Sequence, residues 1–334
     1  MKVLLVQLDG KLPNLALMRL SAHHKKLGHE VKLQVAPNRG SLKQATWADG
    51  LSEKADLVYG SLIFDRTKPL AQKLLEVYPN AVLGGSGHDF TTRLESLGVG
   101  KEQDYSIYPN FQHSMGFSQR GCRMRCGFCI VPKTEGKVSD EHSVAELWRG
   151  DPWPRNLLLL DNDFFGQPGW QQKLDDVRAG GFRVCFSQGI NVRMIDKESA
   201  TALGSIDCRD DSFQRRRIYT AWDNKKDEAR LFAGLNLLVE HGGFKPDQIM
   251  VYILIGYWPG ETIEDRLYRQ RKLREFGCRP YPMPYVRTPE LVGFQRWCLS
   301  SCDKRVPWDV WEAAKYQPRN LHKVKSVPSG RVST

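Results

Sequence analysis

Apolar residues along this chain fall into short unbroken runs, and between the runs they recur at every third or fourth position. Runs of the first kind read as buried strands and stretches of the second as helices with one covered face. Residues 2–8 form the first strand, closed by Asp9-Gly10. Pro13 opens a helix carried by Leu15, Leu17, Met18, Leu20 and Leu27, and Gly28 stops it. Strands are predicted at 31–35 and 55–62, a helix at about 67–77, and a short strand at 81–83 that runs into Gly84-Gly85-Ser86-Gly87. Beyond residue 105 a strand at 114–119 is followed by five more, at 156–160, 182–187, 218–222, 249–255 and 280–286. The intervening helices fall near 141–149, 168–179, 196–203, 226–240 and 261–276. Strict strand-helix alternation predicts an α/β protein built on parallel sheet covered on both faces. Six strands are too few for a closed eight-stranded barrel and suit an open, partial TIM-type (β/α)6 barrel. The expected division is residues 1–105, then 106–302, then a basic tail over 303–334 broken by Pro307, Pro318 and Pro328 after a short helix near 308–316.

At 334 residues, 41% hydrophobic and 26% charged, the composition is that of an ordinary globular protein with room for two domains. No apolar run is long enough to cross a bilayer and residues 1–9 read as a strand, so a cytoplasmic protein is expected, with no membrane partner. Eight cysteines, three in one loop, suit a reducing compartment. A net charge of +11 admits nucleic acid as a partner, although a diffuse excess of Lys and Arg also serves solubility. Arg215-Arg216-Arg217 is read as solvated.

The densest chemistry is Gly121-Cys122-Arg123-Met124-Arg125-Cys126-Gly127-Phe128-Cys129. Three thiols on one short loop reach three corners of a single four-iron cluster and leave the fourth iron open to a small ligand. Gly127 lets the backbone approach closely, and Arg120, Arg123 and Arg125 put positive charge beside an anionic site. Zinc is the alternative, but no second Cys-x-x-Cys or His pair follows at the usual spacing, and a disulfide suits three crowded thiols poorly. A non-catalytic zinc- and RNA-binding protein stays open on these grounds. Cys278, Cys298 and Cys302 admit an auxiliary cluster, against the plainer reading of small buried hydrophobes, which also covers Cys185 and Cys208.

The Cys-x-x-x-Cys-x-x-Cys spacing, with Phe128 before the last Cys, resembles the signature of the radical S-adenosylmethionine (radical SAM) enzymes. The resemblance implies a [4Fe-4S] cluster on Cys122, Cys126 and Cys129, S-adenosylmethionine on the open iron with Phe128 by its adenine, and a 5′-deoxyadenosyl radical acting on an unknown substrate. It further implies a reduced flavodoxin- or ferredoxin-type electron donor. In such barrels the chemistry collects at the carboxyl ends of the strands. There stand Asp161-Asn162-Asp163, where the family has Gly-Gly-Glu, and Gln188 and Asn191, suited to ribose hydroxyls. Arg193 suits a carboxylate, and Asp223 is suited to touching substrate or cosubstrate. Capping and turn formation explain the Asp/Asn cluster and Asp223 as well. Gly256, in Ile255-Gly256-Tyr257-Trp258-Pro259-Gly260-Glu261-Thr262, resembles the family's glycine beside adenine, and the Pro-Gly-Glu-Thr turn is that of cobalamin-associated members. Gln-Gly-Ile-Asn-Val-Arg, Ala-Trp-Asp-Asn and Gln295-Arg296-Trp297 resemble a subgroup of stand-alone members, which names no reaction. The first unit resembles the Rossmann-like cobalamin-binding domain that precedes many such barrels. It lacks the Asp-x-His-x-x-Gly motif, and His23, His24 and His29 read as solvated surface. Cobalamin, and with it a cobalamin-dependent methyl transfer, therefore remains an open second cofactor. Gly84 to Gly87 is either a nucleotide-tail seat or a tight turn.

Overall fold

The structure, a computed structural model, describes residues 1–37, 54–89 and 91–323. It divides into two compact units, Met1–Gln112 and His113–Thr334.

In the first unit, β1 (Lys2–Gln7), α1 (Leu15–Lys26), β2 (Glu30–Val35), β3 (Leu57–Ser61), α2 (Lys68–Val77) and β4 (Val82–Gly84) follow one another in the chain. They build a wholly parallel sheet of order β2-β1-β3-β4. The unbroken apolar run of β1 has a direct cause. Val3 and Leu5 face Leu17 and Leu20 of α1, whereas Leu4 and Val6 face Leu70 and Leu74 of α2, so both faces of the strand are buried. The Gly-Gly-Ser-Gly segment resolves as a tight turn: Gly85 has φ +97°, and a β-carbon there would lie 2.3 Å from the Leu62 carbonyl oxygen. One expectation is corrected. His24 is not solvated surface but 4% exposed, its ring 5.2 Å from that of Tyr59 on β3 and its Nδ1 3.0 Å from Nδ1 of His29. Burial pushes its pKa down to about 4. The last turn of α1 lies over the sheet, and periodicity alone does not show which side of it is covered.

The second unit opens with β5 (Ser114–Gly116), β6 (Gln119–Arg120), α3 (Val131–Thr134), β7 (Ser139–Asp140), α4 (Val144–Leu147) and β8 (Asn156–Leu159). Next come α5 (Trp170–Ala179), β9 (Arg183–Phe186), α6 (Lys197–Gly204), β10 (Asp207–Cys208), β11 (Ile218–Ala221) and α7 (Glu228–Glu240). It closes with β12 (Ile249–Ile255), α8 (Ile263–Phe276), β13 (Arg279–Pro284), α9 (Pro289–Leu299) and α10 (Trp308–Ala313). Among the described residues its parallel strands form two sheets, β10-β9-β8-β5 and β11-β12-β13, with no closed barrel. They meet where the Ile190 N–H donates to the Tyr219 carbonyl at 2.8 Å and the Thr220 hydroxyl donates to the Ile190 carbonyl at 2.9 Å. One apolar core runs under both sheets, from Leu157, Val184 and Phe186 to Ile218, Val251 and Ile253.

The expected strand at 114–119 is divided. The Ser118 N–H and hydroxyl are taken by the Asp161 carboxylate instead of a neighbouring strand, and Gln119-Arg120 turns into an antiparallel pair with Ser139-Asp140. The helix expected at 141–149 is a single capped turn, because Gly150 and Pro152 follow closely. Several elements carry no expectation: the short α3, β7 and β10, which are too brief to show a period, and α9, whose Leu291, Phe294, Trp297 and Cys298 do repeat at helical spacing behind the cap Thr288. Trp308 and Trp311, at the start of the expected tail, lie in the core; residues 324–334, with Pro328, fall outside the described residues. Arg217, expected in solvent, is 6% exposed and donates to the Asp247 carbonyl at 2.7 Å. Among the remaining cysteines, Cys278 and Cys298 are buried in the apolar core and Cys302 is half-buried beside it.

Candidate active site

The cysteine loop is held by three consecutive residues at the end of β8. Asp161 is buried, and its carboxylate accepts from Ser118 N at 2.7 Å, from the Ser118 hydroxyl, and from Gln119 N at 3.3 Å. Asn162 donates from Nδ2 to Glu135 Oε2 at 3.0 Å, and the same oxygen accepts from Gly121 N at 3.0 Å. Asp163, 1% exposed, accepts from Arg123 N, Nε and Nη2 at 3.0, 2.8 and 3.0 Å. A charged, two-pronged contact of this kind fixes orientation as well as distance. These carboxylates are thus spent on the loop's own backbone and side chains, which answers why an apolar strand ends in three polar residues. Glu135 escaped the sequence reading, yet it left a signal: it is the sole acid between Arg120 and Val138.

Cys122, Cys126 and Cys129 are all half-buried and free. Burial pushes Cys122 up to about 11, the nearby Asp163, Cys126 and Cys129 push it further, and a hydrogen bond from Met124 N at 3.3 Å opposes them. Cys126 is raised by burial too, against the pull of Arg193. The three thiols therefore lie within each other's electrostatic reach, and Cys122 and Cys126 are raised, so metal binding to those two has to displace protons. Among the described residues no three His, Cys, Asp or Glu side chains converge on one point as a mononuclear metal site requires.

Two predicted residues from other strands join the loop. Arg193, after β9, lies beside Cys126, donates from Nη1 to Asp227 Oδ2 at 2.5 Å and from Nε to Asn191 Oδ1 at 3.1 Å. Asp223, after β11, shares this field: burial pushes it up to about 6, while Arg193 and Arg269 pull it down. Gln188 is exposed and donates only to Ser187 Oγ, at 3.3 Å, outside this group.

The end of β12 completes the arrangement. The Phe128 ring stands edge-on to Tyr257 at 5.5 Å and to Trp258 at 6.4 Å. Gly256 has φ +76°, and a β-carbon there would lie 2.4 Å from Leu291 Cδ1. Its N–H donates to Glu261 Oε2 at 2.5 Å, and Glu261 Oε1 pairs with Arg269. Arg269, 2% exposed, also donates from Nη1 to the carbonyls of Trp222 at 3.2 Å and Leu254 at 2.9 Å. One buried guanidinium thus ties the ends of β11 and β12 to the Pro-Gly-Glu-Thr turn. Arg269 carries no local mark of this role: it sits eight residues beyond Glu261 in a helix otherwise rich in charge.

No protein-family model and no curated protein matches the chain. Among solved structures it is similar to "Cobalamin-dependent S-adenosylmethionine radical enzyme OxsB with aqua-cobalamin and S-adenosylmethionine bound", at TM-score 0.50 and 12% identity over 82% of this chain and 56% of that one. Two further structures of the same enzyme, one with aqua-cobalamin alone and one apo, match at TM-score 0.39 with 12% and 13% identity, over 88% of this chain and 51% of theirs. The chain therefore spans little more than half the length of the enzyme whose fold it shares.

Proposed function

We propose that this chain, which shares the fold of a cobalamin-dependent radical SAM enzyme, is itself a radical SAM enzyme whose second unit is a partial (β/α)6 barrel. The observation that carries the reading is the meeting of the cysteine loop with strand ends: Asp163 grips Arg123, Arg193 lies beside Cys126, and Phe128 packs on Tyr257 and Trp258. Cys122, Cys126 and Cys129 would hold a [4Fe-4S] cluster. Such a cluster, when reduced, supplies the electron that splits S-adenosylmethionine into methionine and a 5′-deoxyadenosyl radical. Everything else falls to the chain's own residues. Asp161, Asn162 and Asp163 hold the loop in one conformation, and Arg193 offsets the thiolate charge that three metal-bound sulfurs carry. Phe128 with Tyr257 and Trp258 forms an aromatic wall suited to a purine and excludes water on that side. Gly256 and Asn191 are the proposed adenosine contacts, and Asp223, held above the usual carboxylate range, is the group proposed to face substrate.

The test is anaerobic reconstitution with iron and sulfide, then dithionite and S-adenosylmethionine, with 5′-deoxyadenosine measured by mass spectrometry. Product is expected from the native chain and none from the variant with Cys122, Cys126 and Cys129 all changed to Ala. A colourless native protein that makes no product and retains zinc would move the assignment to a metal-binding module.

A second reading, cobalamin in the first unit, is favoured by the aqua-cobalamin named for the enzyme of similar fold. Against it, the loop after β1 is bound to itself: Gln7 Nε2 donates to the carbonyls of Asp9, Gly10 and Leu12 at 3.0, 3.3 and 3.0 Å. The Asp9 carboxylate meanwhile accepts from Ile63 N and Phe64 N at 2.8 and 3.0 Å. No histidine stands in that loop to take cobalt.

A further inference from the structure

At the amino ends of β11, β12 and β13, two arginines are held on one backbone carbonyl. Arg217, the residue before β11, donates from Nη1 to the Asp247 carbonyl at 2.7 Å. Arg279, the first residue of β13, donates from Nε to the same oxygen at 2.9 Å. Asp247 stands in the turn Pro246–Gln248 that leads into β12. Three neighbouring strands of one parallel sheet thus bring two guanidiniums together, at the ends opposite to those that carry Asp223 and Trp258.

A neutral carbonyl does not compensate two positive charges. Among the described residues of this unit the buried arginines are Arg217, Arg266 and Arg269. Arg266 and Arg269 both meet the Glu261 carboxylate, whereas Arg217, 6% exposed, makes no ion pair. Neither does the half-buried Arg279, nor Lys245, exposed at the head of the Asp247 turn. Two carboxylates stand in the neighbourhood. Asp210 is turned to its own loop, where Oδ1 accepts from the Ser212 hydroxyl at 2.8 Å and from Gln214 N and Arg215 N at 2.9 and 3.3 Å. Asp247 is exposed, so water screens its charge. Both attract Arg217, yet burial and the Arg279 charge outweigh them and pull Arg217 below its ordinary pKa. A buried charge without a partner is costly, and the cost is relieved by an anion that reaches it. The donors for one are present: Nε and Nη2 of Arg217 and both Nη atoms of Arg279 make no hydrogen bond among the described residues. Planar guanidinium forks match the oxygens of a tetrahedral oxyanion.

We infer that the amino ends of β11 and β13 bind an oxyanion of the phosphate class, its oxygens shared between Arg217 and Arg279, with the positive field of Lys245 beside them. The site shares no residue with the thiol loop or the aromatic wall, and it stands whether or not the chain cleaves S-adenosylmethionine.

The experiment is isothermal titration of the purified full chain with sodium phosphate, at an ionic strength held constant with sodium chloride. A short single-stranded oligouridylate is titrated in parallel. The expected result is saturable phosphate binding, weakened about tenfold by Arg279→Gln and lost in Arg217→Met. Phosphate is also expected to raise the urea midpoint of the native chain and to leave that of Arg217→Met unmoved. Oligouridylate that binds more tightly than phosphate and is weakened by the same variants identifies the phosphate as that of a nucleic-acid backbone. Oligouridylate that leaves phosphate binding unchanged identifies it as free phosphate or a small phosphate ester. Absence of saturable binding at millimolar phosphate, an effect that chloride reproduces, or an affinity indifferent to Arg279→Gln would each overturn the inference. Arg279 is half-buried at a strand start, so its variant decides the matter even where Arg217→Met fails to fold.

Discussion

Asp161 and Asp163 stand two residues apart and hold the same loop, yet water reaches them differently through their partners. Asp163 answers a guanidinium whose side chain is 38% exposed, so solvent shares its charge. Asp161 answers a hydroxyl and two backbone N–H groups in a closed setting, and burial pushes it from its ordinary 3.8 up to about 6, against those donors and the Lys173 charge. A carboxyl raised in the folded state contributes its full stability below about pH 4 and loses it as the pH rises through 6. Asp161→Asn cannot ionise. The stability of the native chain relative to that variant is therefore expected to fall by on the order of 3 kcal/mol between pH 4 and pH 7, as urea unfolding at each pH would measure. A difference independent of pH would show that Asp161 is ionised throughout.

At the scale of elements, the site is assembled from turns that leave strands. Helix α8 contributes more than its packing, because Arg269 reaches back to three separate segments: the end of β11, the end of β12 and Glu261. Replacing it by Met would leave the buried Glu261 with the Gly256 N–H and, for its charge, Arg266 at 3.5 Å, and would take a donor from two carbonyls. Removing one partner of a buried pair costs about 3–5 kcal/mol. Arg269→Met is expected to lower the urea midpoint accordingly, and Glu261→Gln in the same background is expected to restore part of the loss, since the stranded charge is then gone. If the double variant is no more stable than Arg269→Met, the pair is not coupled as the geometry implies.

For the whole molecule, the two units carry separate apolar cores, one around β1 and one under β8 to β13, and the cysteine loop belongs to the second. A ligand that binds only the folded state raises the stability of the part that holds it. Scanning calorimetry of the reconstituted chain is thus expected to show one transition moved upward relative to the iron-free chain and another unmoved. A uniform shift of a single transition would mean that the units unfold as one.

The sequence by itself determined which residues carry chemistry and in what kind of element they lie. The thiol spacing, the apolar run of β12 and the polar ends of successive strands are local patterns, and β12 falls at 249–255 as its run of β-branched and apolar residues predicts. Tertiary structure alone decided what those polar residues do. Asp161 and Asp163 stand at a strand end and hold the cysteine loop through hydrogen bonds that no local pattern shows, His24 read as surface and is buried, and Arg269, without any local mark, is the bolt of two strand ends. The physical reason is the same in each case. A side chain's type and period are set by its neighbours in the chain, whereas its partner is set by whichever backbone the fold brings within hydrogen-bond reach, here 40 residues away for Asp163 and Arg123 and 47 for Arg269 and Trp222.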